Sequence, residues 1–160
     1  MVSALGLRPA TKDDARRLYA WRNDPVTVAA SASGRPVAWD EHLSWLDKAL
    51  SDPSRRIMIA ELGDEAVGMA RYDQACEGVA ELSWLIAPRA RGRGLGKALV
   101  LAAAARHAGP LLARIKEDNV ASIRVAMAAG FQLVEVRDGM GLWRRPAGPI
   151  TVVSPEETNC

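Results

Sequence analysis

Residues 91–97, Arg-Gly-Arg-Gly-Leu-Gly-Lys, combine three glycines with three basic side chains. They follow an apolar run from Leu82 to Ala87 and precede an alanine-rich pattern from Lys97 to His107, an order that predicts strand, turn and helix. Glycine allows a close approach of the backbone to a ligand, and the first N–H groups of a helix are unpaired at the positive end of its dipole. A phosphate or pyrophosphate satisfies both features, so this segment predicts an anion-binding turn.

Two common phosphate-binding motifs do not fit this turn. A Walker A loop needs a glycine where Arg91 stands and a hydroxyl residue where Ala98 stands. A dinucleotide fingerprint needs a different glycine spacing from Gly92-x-Gly94-x-Gly96, and it needs more strands after the turn than the remaining chain can build. A solvated basic glycine loop is the plain alternative.

The elements around the turn alternate between strands and helices, in the order β-α-α-β-β-β-α-β-α-β-β. Thr11-x-x-Asp14 resembles a helix capping box, Asn23-Asp24-Pro25 ends the first helix, and residues 26–37 are expected to form a loop at a substrate mouth. The predicted strands are 5–9, 56–62, 66–72, 78–87, 111–116, 131–137 and 141–145, and the later helices are 40–52, 97–107 and 119–129. Mixed strands and helices in this order indicate an α/β or α+β layered fold.

Two motifs resemble the GNAT superfamily of N-acetyltransferases. Arg91-x-x-Gly94-x-Gly96 is similar to the coenzyme A pyrophosphate loop of that family, and Asn119-x-x-Ser122 through Gly130-Phe131 is similar to its asparagine helix segment. The resemblance extends to about Arg145. It implies the GNAT fold, a mixed, mostly antiparallel sheet of about seven strands with helices on both faces and a splayed central parallel pair. We therefore expect one acetyltransferase domain over residues 1–145 and a flexible tail over 146–160.

The resemblance also implies acetyl-CoA as co-substrate and a set of contacts to it. The pyrophosphate is expected at the glycine turn, the backbone of the preceding strand at the pantetheine and thioester, and the asparagine at the pantetheine arm. Asn119 also fits a plain helix N-cap, and both roles can hold together. The expected coenzyme-binding residues are Leu85, Ile86, Arg91, Gly92, Arg93, Gly94, Leu95, Gly96, Lys97, Asn119 and Ser122.

Acetyl transfer needs a neutral amine, donors for the oxyanion and an exit for the thiolate. Glu81 begins an otherwise apolar strand before the glycine turn, so we expect it to be the general base. An exposed strand-end glutamate is the plain alternative. Many family members carry a tyrosine as general acid at the position of Ala126. The thiolate therefore leaves unassisted, or Ser122, Ser83 or water serves in its place.

The beginning of the chain resembles two subgroups of the superfamily. Residues 21–25, Trp-Arg-Asn-Asp-Pro, and 41–46, Glu-His-x-x-Trp-Leu, are similar to acetyltransferases of amino-sugar nucleotides, and the ribosomal-protein N-terminal acetyltransferases share part of this pattern. Arg22 could pair with a phosphate, Asn23 could bond a hydroxyl or base edge, and Trp45 could stack on a ring. Their plain alternatives are a helix-face arginine, a helix C-cap and a core tryptophan.

The expected acceptor is a small-molecule amine, most specifically an amino-sugar nucleotide. A protein or peptide N-terminus is the first alternative, and a non-catalytic coenzyme A-binding module, suggested by Ala126, is the second. The net charge of +2 is too small to favour a nucleic acid or membrane partner. No signal peptide is visible, which favours the cytoplasm, and the isolated His42 and His107 predict no metal site. A homodimer is compatible with these expectations.

Overall fold

The computed structural model describes residues 4–148. The described strands are β1 (Leu5–Pro9), β2 (Arg55–Leu62), β3 (Glu65–Cys76), β4 (Val79–Ile86), β5 (Leu111–Lys116), β6 (Gln132–Arg137) and β7 (Met140–Arg145). The described α-helices are α1 (Ala15–Arg22), α2 (Pro25–Ala30), α3 (Trp39–Ser51), α4 (Leu95–Ala105) and α5 (Val120–Ala128). Short 3-10 turns cover Lys12–Asp14 and Pro88–Ala90. The predicted tail lies outside the described residues from position 149 onward.

The strands form one sheet in the order β1-β2-β3-β4-β5-β7-β6. Neighbouring strands are antiparallel with one exception, the pair β4 and β5, which is parallel. The chain connects these two strands through helix α4, as a parallel crossover requires. The predicted mixed, mostly antiparallel sheet of seven strands with a central parallel pair is therefore confirmed.

Helices cover both faces of this sheet, as two adjacent residues of β3 demonstrate. The buried Tyr72 hydroxyl donates a 2.6 Å hydrogen bond to the carbonyl oxygen of Ala103 in α4. The guanidinium of Arg71 lies 5.9 Å from the ring centre of Trp45 in α3. Successive side chains of a strand point to opposite faces, so α3 and α4 pack on opposite faces, as the sequence predicts.

The entry to α1 follows the predicted capping box. The Thr11 side chain accepts a hydrogen bond from the backbone of the first turn, and the Asp14 carboxylate accepts one from the Thr11 N–H. Asp14 also receives two 2.8 Å hydrogen bonds from the Arg8 guanidinium and one of 3.1 Å from Arg17. These bonds compensate the burial of Asp14, whose exposure is 2%.

One prediction about the chain path is wrong. Residues 26–37 were expected to form a loop, but Pro25–Ala30 form helix α2. Asp24 accepts hydrogen bonds from the N–H groups of Val26 and Thr27, and Pro25 occupies the first helical position, where its missing N–H costs nothing. The Asp-Pro pair therefore ends α1 and at the same time begins the next helix.

Candidate active site

The parallel strands β4 and β5 diverge near the centre of the sheet. Their ladder consists of two residue pairs, Ala80 with Leu111 and Glu81 with Leu112. Beyond these two pairs, β4 continues to Ile86 and β5 to Lys116. Over this stretch the two strands do not pair with each other among the described residues. Because β4 pairs with β3 on its other side up to Ile86, every second N–H of this stretch points into the gap. The gap therefore offers backbone donors that the sheet does not use.

A groove of about 380 Å³ extends from this gap to the start of α4. We call it the glycine-turn groove. Its lining includes Leu85 and Ile86 of β4, Arg91, Gly92, Gly94, Leu95 and Gly96 of the turn, Asn119 and Ser122 at α5, and Thr27 of α2. Most of the residues predicted to hold the coenzyme are therefore brought together along one groove.

Glycine is needed at the three positions of the turn for different structural reasons. Gly92 and Gly94 have φ angles of 75° and 71°, a left-handed conformation that other residues adopt at a cost. Gly94 is the N-cap of α4. Gly96 lies inside the helix, and a Cβ built on it would approach Val125 Cγ2 of α5 to 2.9 Å. Gly96 therefore permits close packing of α4 on α5, a role that the sequence did not indicate.

The basic side chains around the turn make different contacts. Arg93 forms an exposed ion pair of 3.1 Å with Glu65, and the Lys97 side chain is exposed at the first turn of α4. Arg91 is half-buried and forms a 2.8 Å ion pair with Asp24. Burial opposes ionisation of Asp24, but hydrogen bonds from Arg91 and Thr27 outweigh it and hold the pKa of this carboxyl below its usual value.

Asn119 combines the two roles considered for it. Its side-chain oxygen accepts a 3.2 Å hydrogen bond from the Ser122 N–H, so it is the N-cap of α5. Asn119 and Ser122 both line the glycine-turn groove. Ala126, one helical turn after Ser122, is completely buried. An alanine side chain has no proton to donate, so the position of the family's tyrosine holds no proton donor here.

A central cavity of about 490 Å³ lies between the diverging strands and α2. Glu81, Ser83 and Ser122 line it together with Arg22, Arg71 and Arg114. Glu81 is the last residue of β4 that pairs with β5, and its side chain is 28% exposed. Its carboxylate accepts a 3.2 Å hydrogen bond from Arg114 Nε of β5, so its surroundings are more polar than the apolar strand suggests.

The third cavity, of about 330 Å³, lies between α1, α3 and the sheet. We call it the tryptophan pocket. Arg22, Trp45 and Arg71 line it, with Glu41, His42 and Met69 among their neighbours. Ser83 and Leu85 line both this pocket and the central cavity. The three cavities therefore form one continuous path across the diverging strands, from the glycine turn to α3.

Arg22 and Asn23 contact the segment before α3. The Arg22 guanidinium donates two 3.3 Å hydrogen bonds, to the Arg35 carbonyl and the Ser33 hydroxyl. The Asn23 amide exchanges two shorter bonds, 2.8 and 2.7 Å, with the backbone of Val37. Both polar groups of Asn23 thus form hydrogen bonds within the chain, which gives this residue a structural role at the end of α1, and its contact with the acceptor stays a prediction.

Sequence reasoning did not identify Arg71, and it named His42 in the 41–46 pattern and as an isolated histidine without giving it a role. Arg71 is half-buried on β3, donates a 2.7 Å hydrogen bond to Asp73, and lines both the tryptophan pocket and the central cavity. His42 is buried, and its Nε2 lies 2.8 Å from the Ala15 carbonyl oxygen. A carbonyl only accepts, so Nε2 carries the proton and Nδ1 has the free lone pair. In the sequence, the alternation of side chains along β3 was the one signal for the face of the sheet on which Arg71 lies.

Residues 4–148 present neither a metal-binding cluster nor a membrane-spanning helix. No cluster of three or more histidine, cysteine, aspartate or glutamate side chains in this range could hold a metal ion. None of the helices in the same range has the length and apolar character needed to cross a bilayer.

Comparisons with known proteins agree with this geometry. A family model described as the acetyltransferase (GNAT) domain matches residues 4–132. The solved spermidine N-acetyltransferase from Vibrio cholerae, in complex with CoA and spermine, has a TM-score of 0.79 at 17% identity, over 89% of this chain and 95% of that one. No protein of curated function matches the sequence.

Two further solved structures share the fold. A domain from Methanocaldococcus jannaschii DSM 2661 has a TM-score of 0.76 at 26% identity and covers 90% of this chain and 99% of its own. Aminoglycoside acetyltransferase AAC(6')-Ib, in complex with coenzyme A and kanamycin, has a TM-score of 0.76 at 23% identity, with coverage of 89% and 95%. The family match and the shared fold place the chain in the GNAT acetyltransferase domain family, and the protein is an acyltransferase.

Proposed function

We propose that this protein transfers the acetyl group of acetyl-CoA to a primary amine by direct attack, and that the acceptor is an amino-sugar nucleotide. The observation that carries the proposal is the pairing of Arg22 and Arg71 with Trp45 in a pocket that opens onto the diverging strands. Two guanidinium groups suit a diphosphate, and an indole suits the face of a sugar or base.

The coenzyme is assigned to the glycine-turn groove. The unpaired N–H groups at the start of α4 and the left-handed Gly92 and Gly94 support a pyrophosphate site at residues 91–97. The pantetheine arm then follows the gap beside Leu85 and Ile86, towards Asn119 and Ser122. The Vibrio cholerae and AAC(6')-Ib structures are both complexes with coenzyme A, which is consistent with this assignment.

The reaction follows from the groups that line the central cavity. Glu81, directly or through a water molecule, takes a proton from the acceptor ammonium. The free amine attacks the thioester carbonyl carbon, and N–H groups of β4 at Leu85 or Ile86 stabilise the oxyanion. When the tetrahedral intermediate collapses, the C–S bond breaks, the attacking nitrogen loses its second proton and the thiolate leaves. Ser122 or water passes that proton to the thiolate, since Ala126 cannot.

The charge of the tryptophan pocket argues for an anionic acceptor. Two of the structural neighbours are complexes with cationic amines. The Vibrio cholerae enzyme holds spermine, and AAC(6')-Ib holds kanamycin. The pocket of this chain has Arg22 and Arg71 in its wall and one acidic residue, Glu41. Arg71 shares the Asp73 carboxylate with Arg55, so its charge is partly compensated, whereas the Arg22 guanidinium is hydrogen-bonded to uncharged groups. The remaining positive charge attracts a phosphate group and repels a polyamine, so an acceptor that carries both an amine and phosphates fits this wall best.

Two other functions remain as alternatives. A protein or peptide N-terminus is the other acceptor considered, and Glu41, near His42 in the pocket wall, is the group that would meet its ammonium. A coenzyme A-binding module without catalysis is suggested by the alanine at position 126. Turnover separates the enzymatic functions from the module, because all three bind acetyl-CoA.

The test is a panel of acceptor amines assayed by release of the coenzyme thiol. The panel holds 4-amino sugar nucleotides, the matching sugars without phosphates, polyamines, aminoglycosides and a ribosomal-protein N-terminal peptide. We expect turnover of the sugar nucleotides and a strongly raised KM for the sugars without phosphates. Acetylation of the peptide without turnover of any sugar nucleotide would refute this acceptor. Binding of acetyl-CoA without turnover of any amine would support the module.

A further inference from the structure

Helix α2 forms a wall of two neighbouring cavities, yet it has no buried residue. Val26, Thr27 and Ala30 line the glycine-turn groove, and Thr27 and Ala30 also line the central cavity. Hydrophobic burial therefore contributes little to the position of this six-residue helix, which is too short to be stable alone. Polar contacts from neighbouring elements must hold it in place.

The first of these contacts comes from the glycine turn. Arg91 Nη1 forms a 2.8 Å ion pair with the Asp24 carboxylate, and Arg91 Nη2 donates a 3.1 Å hydrogen bond to the Thr27 hydroxyl. The Asp24 side chain is only 17% exposed, so solvent screens this pair less than a surface pair. The same carboxylate caps α2 through the N–H groups of Val26 and Thr27.

The second contact comes from the far side of the gap. Lys116, the last residue of β5, donates a 2.9 Å hydrogen bond from Nζ to the carbonyl oxygen of Ala29. A cation at a helix C-terminus satisfies a free carbonyl and complements the helix dipole. Helix α2 is thus held at its N-terminal end by the turn and at its C-terminal end by β5, and it bridges the open end of the strand pair.

We propose that Asp24, Thr27 and Lys116 are positioning residues of the transfer reaction, which hold α2 as the common wall of the glycine-turn groove and the central cavity. This inference rests on the proposed function, because it takes the glycine-turn groove as the coenzyme site. The Arg91 guanidinium has five N–H donors, so it can keep α2 in place and still contact a coenzyme phosphate. A bound coenzyme that fixes Arg91 also orders α2, and affinity for the acceptor rises with it.

The kinetic test removes each end of this attachment separately. Asp24→Asn keeps an oxygen for the helix cap but removes the charge that pairs with Arg91, and Lys116→Met removes the contact at the other end. With acetyl-CoA saturating, each variant should raise the acceptor KM roughly fivefold or more. Because α2 also lines the glycine-turn groove, the acetyl-CoA Kd should rise as well. Glu65→Gln is the matched control, because it removes the acidic partner of Arg93 in the same turn without touching α2.

Hydrogen–deuterium exchange tests the attachment without any acceptor. Amides of residues 26–37 should exchange about tenfold faster in Asp24→Asn and Lys116→Met than in the wild type or in Glu65→Gln. Acetyl-CoA should slow this exchange in the wild type and not in Asp24→Asn. Wild-type exchange rates and an unchanged acceptor KM in both variants would overturn the proposal. A wild-type protein that acetylates no amine would contradict the proposed function instead, and the exchange rates would still decide whether α2 is held in this way.

Discussion

The side chains of Glu81 and Arg114 form an ion pair at the point where strands β4 and β5 diverge. Arg114 Nε donates a 3.2 Å hydrogen bond to the Glu81 carboxylate, and Glu81 pairs with Leu112 in the ladder. The predicted base therefore lies where the gap begins, with a cation beside it. This arrangement keeps a carboxylate in the central cavity, where acceptor and thioester are proposed to meet.

A Glu81→Gln variant should lose acetylation rate most at low pH, where the acceptor amine is protonated and needs a base. The rate should recover in part as the pH rises and the free amine becomes abundant. The measurement is kcat/KM for the acceptor across a pH series. A profile with the height and shape of the wild type would show that Glu81 is only structural. Arg114→Met serves as the comparison, since it leaves the carboxylate but removes its partner.

A Gly94→Val variant should bind acetyl-CoA at least about tenfold more weakly, which corresponds to about 1.4 kcal/mol. A β-branched residue is strained at a φ of 71°, and it blocks the approach of a phosphate to the backbone. Calorimetry on the folded variant measures the affinity. Gly139→Val is the matched control, because Gly139 has a φ of 76° in the turn between β6 and β7, with open space around its α-carbon. If both variants bound acetyl-CoA with equal affinity, the glycine turn would not be part of the coenzyme site.

An Arg22→Met variant should raise the KM for an anionic acceptor and leave the acetyl-CoA affinity unchanged. Arg22 lines the tryptophan pocket and the central cavity but not the glycine-turn groove. Its hydrogen bonds to Arg35 and Ser33 are long, at 3.3 Å, so a phosphate can replace them. Arg16→Met on the same helix is the control, since Arg16 is exposed and lies away from this pocket. A KM that falls for Arg22→Met would indicate a cationic acceptor.

A Ser122→Ala variant should lower kcat by a larger factor than it raises the acetyl-CoA Kd, if the hydroxyl gives its proton to the thiolate. Alanine keeps the backbone N–H that Asn119 caps, so α5 should remain intact. A loss of about a hundredfold is the scale for a proton donor. Ser83→Ala is assayed beside it, because Ser83 lines the same central cavity. Full activity in both variants would leave water as the proton source.

An Asp14→Asn variant should destabilise the fold by about 2 kcal/mol, because the buried Asp14 loses its charge-assisted hydrogen bonds from Arg8 and Arg17, while Arg8 keeps Glu61 as a partner. Urea denaturation measures this, and Asp47→Asn, from an exposed pair with Lys12, should have a much smaller effect. Hydrogen bonds from Arg8, against the opposing effect of burial, hold the pKa of Asp14 below its usual 3.8. A lowered pKa gives stability that is present above 3.8 and is lost as the pH falls through the lower folded value. Asp14→Asn should therefore lessen the acid sensitivity of unfolding.

Local signals account for what could be predicted from the sequence. Strand β5 has the predicted bounds Leu111–Lys116, and Asn119 is the N-cap of α5, as its residue type indicates. The glycine turn between strand and helix is also confirmed. In each of these cases the residues that determine the structure lie within a few positions of one another, so spacing and residue type suffice.

The sequence by itself therefore determined the family and, apart from α2, the order of the elements, and it predicts an anion site at residues 91–97. The tertiary structure alone decided how the side chains are used. Arg91 pairs with Asp24, Asn23 with Val37 and Lys116 with Ala29, and Arg71 reaches the tryptophan pocket. These contacts join elements that are far apart in the chain, and a side chain's charge does not reveal which distant partner the fold brings to it.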